Sequence, residues 1–159
     1  MLNSQHFIFD ISILLLAVAL IIHTIVEAWI PAYQKVKPDW RSVVFDRALF
    51  WDNLPIFIFS IGVALAGWQW PIVGGLLPAI GLTHSLLDHL GLSWKNQKLR
   101  PGSWTGLLLL LPLSLGLYAF SYTYHILAFH EFLISGAVGL AISVWLLWMT
   151  VQQSPEHSL

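Results

Sequence analysis

Residues 7–30 read FIFDISILLLAVALIIHTIVEAWI. In this run Asp10 and Glu27 are the only charges, and it exceeds the ~20 apolar residues, each rising ~1.5 Å, that carry a helix across a bilayer. No Lys or Arg precedes it, and it is too long for the apolar region of a cleavable signal peptide, so it is expected to be retained. The rest of the chain has the same character. Of 159 residues 57% are hydrophobic and 9% charged, and the mean hydropathy is +0.75, far from the balance of a soluble domain.

Working outward, the punctuation marks four more spans. The first, 7–30, is expected to stop at Pro31; the second runs 42–67 with Pro55 as a kink; the third 71–92; the fourth 103–124 with Pro112; the fifth 131–151. The predicted fold is therefore all-α, a polytopic membrane bundle of about five transmembrane helices. Residues 1–151 are expected to form it as a single unit, with 152–159 as a short polar tail. Several Trp residues fall near span ends, where interfacial anchors belong.

The formal net charge of −1 denies the chain the basic field that nucleic-acid binding requires, so nucleic acid is not an expected partner. With no cysteine, thiolate nucleophiles, iron–sulfur clusters and Cys-type zinc sites are excluded, and any metal must use His, Asp or Glu. The basic residues fall in two stretches, Lys35, Lys37, Arg41 and Arg47, then Lys95, Lys98 and Arg100. The positive-inside rule assigns both to the cytoplasm, which puts the N-terminus outside and the C-terminus inside.

Ionisable residues at membrane depth are costly and mark sites or structural pairs. His23 and Glu27 lie four apart on one face of the first span, and His84 and Asp88 do the same on the third. His89 is turned ~140° from His84 on an ideal helix. On the second span Asp46 and Asn53 lie seven apart, with Arg47 and Asp52 on neighbouring faces. Counting rise from the proposed cytoplasmic ends gives two layers: His23, Asn53 and His84 at ~10–14 Å, and Glu27, Asp88, His89 and the pair Asp46–Arg47 at ~2–7 Å. A purely structural arrangement would pair Arg47 with Glu27 or Asp88. His125, His130 and Glu131 cluster at the opposite interface, where polarity costs little.

The run His23-Thr-Ile-Val-Glu27, followed by Ala28-Trp29-Ile30-Pro31, resembles the signature of the HXXEE family of small bacterial membrane proteins. His23 takes the place of the family histidine and Glu27 that of the second glutamate, whereas Val26 stands where the first glutamate would be. The stretch from His84 through Arg100-Pro101-Gly102 into residues 107–112 is also similar, extending the resemblance over residues 20–115. It implies that His23, Glu27 and His84 share one polar core.

Two or three imidazoles with two or three carboxylates are the ligand types of zinc and of non-haem iron or manganese. The candidate ligands are His23, Glu27, His84, Asp88 and His89, with Glu27 and Asp88 as candidate catalytic carboxylates and Asp46 and Asn53 as supporting residues. Such an ion would acidify its bound water and so generate a nucleophile at the membrane edge. The expected function is a metal-dependent membrane enzyme acting on a small hydrophobic, lipid-like or isoprenoid-like substrate, by hydrolysis, with membrane lipid as its surroundings. The alternatives are a haem or chlorophyll-type pigment held by His23 and His84 as axial ligands, or a non-catalytic polar core.

Overall fold

The computed structural model describes residues 2–35 and 43–152. The expected start of the second span at Ser42, the basic residues Lys37 and Arg41, and the tail 153–159 lie outside the described residues. Within them five helical rods follow one another: α1 (Leu2–Lys35); α2 (Arg47–Ala66); a third rod of α3 (Pro71–His84), a π-helical segment (Ser85–Leu92) and α4 (Ser93–Asn96); a fourth of α5 (Ser103–Thr105), a second π segment (Gly106–Leu110) and α6 (Leu111–Thr123); and α7 (Phe129–Gln152). The all-α bundle expected from sequence is the observed fold.

Four segments are long and apolar enough to cross a membrane: Phe7–Ala32, Arg47–Gln69, Ser103–Thr123 and Phe129–Met149. The third rod reaches comparable length only when its three helical segments are joined. Large apolar side chains face outward on every rod, among them Leu15 and Ile25, Ile58 and Leu65, Leu108, and Val144. A soluble domain would bury them. The build is that of a multi-pass integral membrane protein.

Two boundaries depart from expectation, and one interior does. Pro31 lies inside α1 instead of ending it. A proline removes the hydrogen bond to the carbonyl four residues back, here that of Glu27, and crowds that carbonyl with its ring, and membrane helices tolerate both. The second span begins at Arg47, because the Asp46 carboxylate caps it by accepting from the backbone N–H groups of Ala48 at 2.8 Å and Leu49 at 3.1 Å. In the fourth span Pro112 follows a π segment. Since Pro112 offers no N–H to the turn before it, the preceding backbone is free to widen.

The third rod is the hub. Gly74, Gly75, Leu77, Pro78, Ala79, Ile80 and Gly81 are all buried in α3, which touches each of the other four rods. Lipid supplies no hydrophobic drive between helices, so close backbone approach and hydroxyl hydrogen bonds hold such a hub. A Cβ on Gly75 would fall 2.7 Å from Ser135 Oγ, and one on Gly139 the same distance from Ala79 Cβ. Thr83 and Ser143 share a 2.6 Å hydrogen bond between the third rod and α7. Gly62, by contrast, has nothing within 4 Å of its Cβ position. Gly139→Leu is therefore expected to lower the thermal midpoint of the purified protein markedly, and Gly62→Leu to leave it within error, in parallel detergent melts.

Candidate metal centre

His23 and Glu27 are one turn apart on α1. Helical Cα–Cβ bonds tilt toward the N-terminus, so the Glu27 carboxylate reaches back toward the deeper histidine, and its Oε2 lies 3.4 Å from His23 Nε2. His84 ends α3, and the π segment begins at the next residue. A π turn closes i→i+5, which carries His89 back over His84 rather than ~140° away from it. The two rings stand 4.9 Å apart, and His89 is 4.6 Å from the His23 ring.

The three Nε2 atoms converge. His23 Nε2 is 2.9 Å from His89 Nε2 and 3.4 Å from His84 Nε2, and His84 Nε2 is 3.7 Å from Glu27 Oε2. One ligand atom from each of His23, Glu27, His84 and His89 lies within 4.8 Å of all the others. The two depth layers expected from sequence thus merge at these four residues. Residue rise locates backbones, whereas side-chain tilt and the π turn locate the polar atoms. His23 and His89, 1% and 0% exposed, are shut off from solvent, and Glu27 and His84 are half-buried.

A layer of residues from the fourth rod backs this group. The Thr105 hydroxyl donates to the Gly102 carbonyl at 2.9 Å, which leaves its lone pairs to accept from His23 Nδ1, also at 2.9 Å. That fixes the proton of His23 on Nδ1 and turns the Nε2 lone pair toward the centre, the arrangement found around metal-ligating histidines. Among the described residues no group partners His89 Nδ1. Gly106 supplies space instead: a Cβ there would fall 2.5 Å from His89 Cδ2. Gly102, at φ +77°, lies where a Cβ would be 3.0 Å from Glu27 Cβ and 3.2 Å from His23 Cε1.

The other expected residues lie outside this group of four, Asp88 beside it on the same cavity lining. Asp88, buried on the π segment, pairs with Arg100, whose Nε is 3.2 Å from Asp88 Oδ1 without the angle of a hydrogen bond. Arg100, expected only as a loop cation, is thus the partner that the structural alternative sought in Arg47; Arg47 itself is exposed at the start of α2. Asp46 is a helix cap. Asn53 donates to the Leu49 carbonyl at 2.8 Å and, with Asp52, borders a cavity beside the cluster. At the other end of the bundle Glu131 accepts from the Ala128 N–H at 2.8 Å and caps α7. Among the described residues, neither His125 nor His130 belongs to a metal-competent group.

The cavity has a volume of about 460 Å³. His23, Glu27, His84 and Asp88, with Asp52 and Asn53, line its polar part, and the rest is lined mainly by apolar side chains of α1, α2, α3 and α7. Its size falls within the ~300–1,000 Å³ range of small-molecule sites.

Residues 14–117 match the family model described as "Protein of unknown function with HXXEE motif". The chain belongs to this family. The matched stretch contains the four convergent residues together with Arg100 and Thr105, and it ends before α7. Comparison with curated proteins and with solved structures found no match. Within the HXXEE motif itself, Val26 replaces the first glutamate, and the carboxylate retained, Glu27, is the one four residues from His23 and so on its face.

Of the residues that sequence reasoning missed, Thr105 and Gly106 had one usable signal, their place just after the Arg100-Pro101-Gly102 turn that brings the fourth rod beside His84. Thr105→Val keeps the shape and removes the hydroxyl, so it is expected to weaken zinc binding by ~10–100-fold, read by competition with a chromophoric chelator.

Proposed function

We propose that the chain is a membrane-embedded, metal-dependent hydrolase whose ion is held by His23, His84, His89 and Glu27, and which acts on a lipid-like or isoprenoid-like substrate in the adjoining cavity. The observation that carries this reading is the convergence of three Nε2 atoms and one carboxylate oxygen within 4.8 Å. A tetrahedral zinc ion held at ~2.0–2.1 Å by three of these four groups, with the fourth position left to water, needs ligand atoms spaced ~3.3 Å apart. The spacings made by His23 Nε2 and Glu27 Oε2, from 2.9 to 3.7 Å, bracket that value, and all four ligand atoms lie within 4.8 Å of one another. With its proton held on Nδ1 by Thr105, His23 brings the Nε2 lone pair to the centre, which is what a cation there would take. Manganese and non-haem iron accept the same donor types.

When bound, the ion supplies Lewis acidity and an acidified water. The chain does the rest: Thr105 holds the His23 tautomer, Glu27 stands close enough to ligate or to take a proton, and Asp88, held by Arg100, borders the cavity as a second carboxylate. Hydrolysis of an ester would add the water oxygen to the acyl carbon and release the alcohol with the water's proton. A haem between His23 and His84 is a poorer fit, since a third imidazole and a carboxylate crowd the gap that a macrocycle would need.

His23→Ala and His84→Ala are each expected to abolish stoichiometric zinc in protein purified without a His tag, with His125→Ala and His130→Ala unchanged by elemental analysis. Glu27→Gln should either weaken binding or leave the ion in place and suppress turnover. If melting curves of the His23 and His84 variants drop equally with and without zinc, the cluster is a structural polar core instead. The proposed orientation sets both basic connections in the cytoplasm. A C-terminal reporter should accordingly read cytoplasmic and an N-terminal one external.

A further inference from the structure

Two walls of the cavity, those from α2 and α7, belong to rods that do not pack on one another. The second rod leans on the first and third, and α7 on the third. Among the described residues α2 and α7 share no extended contact. The cavity occupies the gap between them, with Ile56 and Phe59 on one side and Ile142 and Trp145 on the other. Trp145 is 55% exposed, so this wall continues onto the lipid-facing surface. A gap between two apolar helices at membrane depth opens onto acyl chains, because water has no access along such walls.

The polar end of the same cavity carries an unusual charge pattern. Glu27, Asp52 and Asp88 line it, and no Lys or Arg does so among the described residues. Arg100 is engaged by Asp88. A divalent ion in the cluster would be offset by Glu27 and Asp52, so the loaded site has no surplus positive charge for an anionic head, and the unloaded site repels one. Phosphate-recognising sites are built the other way, from Arg and Lys clusters or helix N-termini.

Resting on the hydrolase reading above, we infer that the substrate is a single-chain amphiphile with an uncharged ester or alcohol head, entering sideways from the bilayer between α2 and α7. Phosphorylated lipids are excluded by the carboxylate lining, and water-soluble esters by the apolar approach.

The absence of native cysteine makes a clean test available. Zinc-loaded protein in phosphatidylcholine nanodiscs is titrated with brominated dodecyl acetate or brominated dodecyl phosphate, and quenching of Trp145 is taken as the difference from Trp145→Phe. Ile142→Cys is measured before and after labelling with N-benzylmaleimide, so that the unlabelled protein reports its own folding. The expected result is quenching by the acetate at ~10-fold or more lower concentration than the phosphate, lost on labelling. Equal or tighter quenching by the phosphate, no quenching by the acetate, or quenching that survives the label overturns the inference. Zinc content is measured on the same samples. Protein that holds no zinc yet keeps the ester preference overturns the metal reading alone, and zinc-loaded protein with the reverse preference overturns this one alone.

Discussion

A polar side chain withdrawn into hydrocarbon must find its partners within the protein, and much of this bundle is arranged around that demand. His23 and His89 are closed off from solvent, so their Nε2 atoms depend on one another, and His23 Nδ1 depends on Thr105. A buried Asp is expensive in the same way, at about 2.5–3.5 kcal/mol on an insertion scale, and Arg100 offsets Asp88 by reaching in from the connection after the third rod. The short connection between the third and fourth rods is fixed by the same economy. Ser93 Oγ accepts from the Arg100 N–H at 3.2 Å and lies 3.3 Å from Ser103 Oγ, which ties the arginine's backbone to both rods.

The site could not be built this closely without a thin-walled hub. Because α3 presents glycines and Ala79 to its neighbours, α7 and the fourth rod approach it almost backbone to backbone. The wider gap remains where α2 and α7 fail to meet, and there the cavity lies. Tight packing on one side and a gap on the other are two outcomes of one distribution of side-chain volume.

The spans were legible because a bilayer imposes length and apolarity, which composition and punctuation record directly. The pairs His23 with Glu27 and His84 with Asp88 were legible for a similar reason, since four-residue spacing fixes a shared face on any helix. What the sequence concealed lies where backbone hydrogen bonding departs from the ordinary. His89 looked averted on an ideal helix, and only the π segment brings it to the centre. Pro31 looked like a stop, and the helix passes through it. Asp46 carried the residue type of a ligand and has the position of a cap. Thr105 and Arg100 are contributed by residues distant in sequence from His23 and offer no local periodicity to betray them.

The π segment also changes what a length variation would mean in this fold. A one-residue deletion in a membrane helix ordinarily rotates everything beyond it and is read as damage. Between 85 and 92 each backbone hydrogen bond already spans one residue more than in an α-helix. Removing one residue after His89, between 90 and 92, would let the stretch relax to α geometry and turn that imidazole ~140° from His84, leaving His23, His84 and Glu27 on unaltered backbone. Relatives that differ by one residue here would then differ in the number of nitrogens offered to the centre, so that an insertion or deletion, not a substitution, would separate a three-imidazole site from a two-imidazole one.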